Sequence, residues 1–158
     1  ETFISAVFFL LAYAFTSFST WAVLISIEPA GSDGLSLQDF SGLGRKYPWL
    51  GASLLISMLS FTGVPLTMGF WGKFYLFKTA VSGGFVGLAL IGLLTSLVSA
   101  YYYLRIVMFA YLKPGDPVVQ PGRWVNVIAV VMAAGVLILS FFPSPIFQFA
   151  GKLIESVK

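Results

Sequence analysis

The sequence predicts an all-α integral membrane fold with four transmembrane helices. Three observations predict it. Of 158 residues, 58% are hydrophobic and only 9% are charged, whereas a soluble globular domain carries about 25% charged residues. Mean hydropathy is +0.93. Four runs without a charge, 2–27, 47–72, 79–104 and 124–151, each exceed the roughly 20 apolar residues that a membrane helix needs.

Each helix follows from these runs and from the turn chemistry between them. Helix A is expected at 3–27 and ends at EPAGSDG. The next connection is the longest, with room for a short interfacial helix around 36–43, and closes at SGLGRKYP. Helix B is expected at 49–80. As one straight helix it would extend about 48 Å at about 1.5 Å per residue, against a hydrocarbon core of about 30 Å. It therefore tilts, protrudes or breaks. Gly63-Val64-Pro65 is the natural break: Pro65 lacks an amide hydrogen and its ring collides with the carbonyl four residues earlier, and Gly63 supplies backbone freedom beside it. Helix C follows the SGG turn at 84–112. Helix D follows KPGDP at 124–150. The chain reads as one transmembrane segment over 1–158, with no room for an extramembrane domain. It opens without methionine, almost inside a hydrophobic run, and is expected to be part of a longer polypeptide.

Charge gives an orientation. The A–B and C–D connections and their adjacent helix ends carry Arg45, Lys46, Arg105, Lys113 and Arg123, and the other side carries Lys78, Lys152 and Lys158. The positive-inside rule puts the two connections in the cytoplasm and both ends outside. The chain has no histidine and no cysteine. That excludes Cys/His metal sites, cysteine-ligated iron–sulfur clusters and thiol catalysis. A net charge of +3 with scattered basic residues gives no nucleic-acid footprint.

Lys73 is the one charge with a claim to lie inside the membrane. One reading has it snorkel to the headgroups from the outer end of helix B. The other leaves it at depth in a polar cavity, because the break at Gly63 and Pro65 shortens its path. Lys78 already supplies an interfacial charge five residues later. Gly69 and Gly72 clear bulk beside Lys73. From the residues alone the two readings stay open. Hydroxyls recur at helical spacing: Ser53, Ser57 and Ser60 with Thr67 on B; Thr95 and Ser99, then Tyr102 or Tyr103, on C; Tyr13, Thr16 and Thr20 on A. Ser57, Ser60, Thr67, Thr95, Ser99 and Tyr103 are candidates for a water path. Their plainer role is bonding to the carbonyl four residues back or joining helices.

The stretch SFTGVPLTMGFWGKFYLF resembles the late broken helix of the antiporter-like membrane subunits of respiratory complex I, which share G-x-P-x-T-x-G-F-x-[GS]-[KE]. GKFY at 72–75 and YYYLR at 101–105 resemble the subunit N branch. The middle subunit has glutamate where Lys73 stands, and the most distal one has S-K-D-E after its G-F pair. The resemblance covers nearly the whole chain but only about the last third of such a subunit. It implies proton translocation within a proton-pumping NADH–quinone oxidoreductase, a translocase whose redox chemistry lies elsewhere. Lys73 would be the proton-relay residue, and Gly63 and Pro65 the helix break. The family's earlier proton-path glutamate and lysines would lie outside this chain. NAD, FMN, iron–sulfur clusters and quinone would sit on other subunits, and no cofactor or metal in this chain. The partners implied are neighbouring membrane-arm subunits, above all the antiporter-like ones, and the lipid bilayer. The location implied is the bacterial cytoplasmic membrane. The alternative is a related subunit of a multisubunit cation/proton antiporter.

Overall fold

A computed structural model of the chain describes residues 2–28, 34–120 and 122–142. It contains α1 (Thr2–Ile27), a 3-10 turn (Leu37–Phe40), α2 (Leu43–Lys46), α3 (Pro48–Thr62), α4 (Met68–Ser82), α5 (Val86–Leu112) and α6 (Arg123–Phe141). No strand occurs among the described residues. The helices α1, α5 and α6 are each long and apolar enough to cross a membrane, and α3 is a shorter apolar helix. The fold is the expected all-α bundle of membrane-spanning helices.

Helix B is two helices. Its first half, α3, starts with Pro48 in the first turn, where a missing amide hydrogen is harmless. It ends at Gly63, whose φ of 87° and ψ of 38° are left-handed. The Gly63 amide donates to the Ser60 carbonyl at 3.1 Å and the Val64 amide to the Leu59 carbonyl at 3.0 Å. This pair of bonds is the Schellman ending that glycine allows. The chain then turns through Val64–Thr67, closed by Thr67 N–H to the Val64 carbonyl at 3.3 Å. Leu66, after Pro65, takes φ 78°, a region that disfavours a side chain by about 1–2 kcal/mol. The break thus contains a residue in a conformation that glycine normally fills.

Two other expectations shift. The interfacial segment expected around 36–43 is a 3-10 turn followed by the short α2. Helix D closes at Phe141, because Pro143 disfavours helical φ/ψ at the residue before it. The remainder of the expected span, 143–150, lies outside the described residues, as do Lys152 and Lys158.

α1 packs against α3, α4 and α6, and α3 packs against α5 and α6. Small residues set these approaches, as membrane helices without a hydrophobic drive between them require. Ala22, Ala110 and Ala129 sit in one buried cluster with Leu43, Leu50, Leu54 and Met58. Ala12 sits in a second with Phe8, Met68 and Val136. Along α1 the two clusters flank a polar stretch holding Thr16, Ser19 and Thr20. Ser19 donates to the Ala129 carbonyl on α6 at 3.0 Å.

The α1–α3 and α5–α6 connections meet at one end of the bundle. Lys46 is paired with Asp116 there. The hydrogen bond to Asp116 holds the Lys46 ammonium above its ordinary pKa. A raised pKa means the pairing is fully present below the ordinary lysine range and is lost only as pH rises through the raised value. Both groups lie in solvent, where such pairs contribute little. Asp116→Asn is therefore expected to leave the thermal inactivation midpoint of the assembled protein almost unchanged from pH 6 to 8.

Candidate functional site

The site grows from the broken helix. Ending α3 inside the bundle leaves its last carbonyls without helical partners. The Schellman ending serves Leu59 and Ser60. The Lys73 amine serves the other two, donating to the Phe61 carbonyl at 2.7 Å and to the Thr62 carbonyl at 3.3 Å. Its cation sits at the negative end of the α3 dipole. Lys73 thus reaches back along α4 to α3, while Lys78 is exposed.

Two glycines allow this approach. At Gly69 an added Cβ would strike the Ser60 carbonyl oxygen and lie 2.7 Å from both its carbon and the Ser60 Oγ. At Gly72 it would lie 3.3 Å from the Phe9 Cα on α1. Gly69 and Lys73 are four residues apart and so share the face of α4 that meets α3. The Gly69 amide donates to Ser60 Oγ at 3.2 Å. Ser60 Oγ lies 2.9 Å from Thr16 Oγ1, and Thr16 donates to the Ala12 carbonyl at 2.8 Å. With Thr16 donating to Ala12, Ser60 is the donor to Thr16. One directed chain then joins α4, α3 and α1.

Beside Lys73 is a cavity of about 150 Å³, lined by α1 from Phe9 to Thr16, by Ser60 and Phe61, by Gly69, and by α5 from Thr95 to Tyr103. It has room for several waters at about 30 Å³ each. Thr95 is nine residues from the start of α5 and Tyr103 nine from its end, or about 14 Å from either end at about 1.5 Å per residue. The cavity is therefore level with the middle of α5. Phe61 forms part of the wall, stacked on Tyr103 with centroids 5.2 Å apart and edge-on to Tyr13 at 5.5 Å.

Of the six hydroxyls named as water-path candidates, Ser60, Thr95, Ser99 and Tyr103 line this cavity with Lys73, as do Tyr13 and Thr16 of the helix A set. Ser57 and Thr67 do not. Ser57 is fully buried and donates to the Ser53 carbonyl at 2.8 Å. Thr67 is buried and donates to the Val64 carbonyl at 2.7 Å. Spacing identifies a helix face, but the cavity meets α3 only at its last turn, about 4.5 Å beyond Ser57. Sequence reading missed Ser96, which lines the cavity between Thr95 and Ser99. It also missed the carbonyls of Phe61 and Thr62, although a predicted break implied unserved carbonyls near a lysine. Among the described residues no group of three His, Cys, Asp or Glu side chains could hold a metal ion.

Comparison with known proteins agrees on the family. The family model described as NADH:quinone oxidoreductase/Mrp antiporter, transmembrane, matches residues 1–99. The chain is 40% identical over 156 residues to NADH-quinone oxidoreductase subunit N of Trichlorobacter lovleyi, covering 95% of this chain and 31% of that protein. It is 39% identical over 158 residues to subunit N 1 of Solibacter usitatus, covering 98% and 32%. Among solved structures, respiratory complex I from Thermus thermophilus with bound aureothin matches with a TM-score of 0.83 and 35% identity, covering 92% of this chain and 34% of that one. The chain spans about a third of the length of these relatives. Together with its membrane-spanning helices, these matches show that the chain belongs to the NADH:quinone oxidoreductase/Mrp antiporter family of multi-pass membrane proteins, as an antiporter-like segment of the complex I subunit N type.

Proposed function

We propose that this segment translocates protons across the membrane as part of an NADH–quinone oxidoreductase, with Lys73 as the proton-relay residue. The observation that carries the reading is the Lys73 amine, held by two carbonyls at the end of α3 beside a hydroxyl-lined cavity at mid-helix depth. Broken helices in transporters present ion sites in this way. An ionisable group inside a membrane is costly, so by default it marks function. Quinone reduction in other subunits would drive the cycle. NAD, FMN, iron–sulfur clusters and quinone would be held by those subunits, and this segment would be the C-terminal third of a larger membrane subunit. Its neighbours would be other membrane-arm subunits and lipid. The basic A–B and C–D connections would face the cytoplasm of a bacterium and both ends the outside.

The test is Lys73→Ala in the assembled enzyme, scored for quinone reduction, proton pumping and subunit content. Pumping is expected to fall by about a hundredfold or more, the usual contribution of a positioned proton-transfer group, with the subunit retained. Normal pumping with normal assembly would remove Lys73 from the mechanism. The family model also covers Mrp antiporters, which supports a second reading, a subunit of a cation/proton antiporter. Purification settles between them: redox subunits accompany the chain in the first case, and sodium-dependent transport without them marks the second.

A further inference from the structure

The cavity beside Lys73 is bordered by several hydroxyls, and most have their protons committed elsewhere. Ser60 and Thr16 belong to the directed chain that runs from Gly69 to the Ala12 carbonyl. Thr95 donates to the Gly92 carbonyl at 3.0 Å and Ser99 to the Thr95 carbonyl at 2.9 Å. A hydroxyl that donates to a backbone carbonyl passes a proton only after breaking that bond. These four therefore hold helices in place more readily than they conduct.

Ser96 differs. It lines the same cavity from α5. It makes no side-chain hydrogen bond among the described residues, and no buried polar atom of the side chains is left without a partner. Its hydroxyl is therefore open to the cavity. The local sequence explains this. The carbonyl four residues before Ser96 is that of Gly92, and Thr95 already donates to it. The adjacent threonine occupies the acceptor that a serine in a membrane helix usually takes. Tyr13 and Tyr103 also border the cavity, with their rings packed on Phe61. Among the aliphatic hydroxyls of the lining, Ser96 alone has no carbonyl or hydroxyl acceptor among the described residues.

We propose that Ser96 is the exchanging hydroxyl of this cavity, passing protons between Lys73 and the α5 side of the bundle. This rests on the reading of Lys73 as a relay. In the step, an N–H bond of the Lys73 ammonium breaks and its proton moves through one or more waters to Ser96 Oγ. A new O–H bond forms there. The earlier O–H bond of Ser96 breaks, and that proton goes to a water further along α5. Lys73 ends as a neutral amine, Ser96 ends unchanged, and one proton has advanced. On the opposite side, the closed chain through Ser60 and Thr16 offers no such step.

The experiment uses the assembled enzyme with Ser96→Ala, Ser96→Thr, Ser99→Ala, Tyr103→Phe and Lys73→Ala. Ser96→Ala is expected to lower the rate of quinone-coupled proton pumping by about tenfold, the lower end for loss of a positioned proton-transfer group being about a hundredfold before water substitutes. It is also expected to raise the solvent deuterium isotope effect on pumping, which a purely structural loss would not do. Ser96→Thr restores both. Ser99→Ala, whose hydroxyl is committed to the Thr95 carbonyl, is expected to lose clearly less than Ser96→Ala. The proposal is overturned if Ser96→Ala pumps normally while Lys73→Ala does not, or if Tyr103→Phe alone carries the loss. In both cases the relay role of Lys73 stands. If Lys73→Ala itself pumps normally, the relay reading fails and this proposal fails with it.

Discussion

Lys73→Arg is expected to abolish most proton pumping while the subunit still assembles. Arginine keeps the positive charge and offers more donors than lysine, so the Phe61 and Thr62 carbonyls keep a partner. The cavity of about 150 Å³ beside them gives the larger head group room. What arginine does not do is release its proton, since the guanidinium stays charged in proteins. A residue that serves only as a fixed cation would tolerate the exchange. One that must alternate between charged and neutral would not. The expected drop is about a hundredfold or more in protons moved per quinone reduced, comparable with Lys73→Ala. Full pumping by the arginine enzyme would mean that charge, and not proton exchange, is what the position supplies.

The second large effect concerns assembly. Gly69→Ala is expected to strip the subunit from the membrane complex or to lower its thermal inactivation midpoint sharply. The new Cβ would fall on the Ser60 carbonyl oxygen and within 2.7 Å of two other Ser60 atoms. None of these atoms yields easily. The carbonyl belongs to the Schellman ending of α3, and the hydroxyl is bonded to Thr16. α4 would have to move away from α3, and Lys73, one turn further on, would leave the two carbonyls. Forcing extra atoms into packed interiors costs about 1–3 kcal/mol and sometimes more, and here the neighbour is backbone. Gly72→Ala gives the comparison within the same helix. Its Cβ would meet the Phe9 Cα and ring at 3.3 Å, a contact that a small shift relieves, so its loss of subunit content is expected to be clearly smaller. Equal losses from the two substitutions would show that the Ser60 contact is not what limits the approach of α4.

Much of the fold was legible because it is local. Charge-free runs give the spans, and a glycine and a proline two residues apart mark the break whatever surrounds them. The described part of helix D ends at Phe141 although hydropathy continues through Phe142, because Pro143 acts on backbone geometry that hydropathy does not register. The site was legible in part. Lys73, Ser60, Thr95, Ser99 and Tyr103 come together in one cavity. Ser57 was grouped with Ser60 because spacing reports a face and not a depth. Ser96 was passed over because it lies off the Thr95–Ser99 stripe, and only the bond from Thr95 to Gly92 leaves its hydroxyl open. That bond depends on a rotamer, which the sequence does not specify.

The end of α3 has one more consequence. An ammonium carries three N–H bonds and a neutral amine two. Two are all that Phe61 and Thr62 require. Lys73 can therefore discharge without letting go: the helix end stays capped in either state, and only the third position on nitrogen, a hydrogen or a lone pair, changes. If Lys73 is the relay proposed above, loading and unloading would need no refolding of the break, and the cycle at this residue would turn on water and fields around it instead of on the movement of helices.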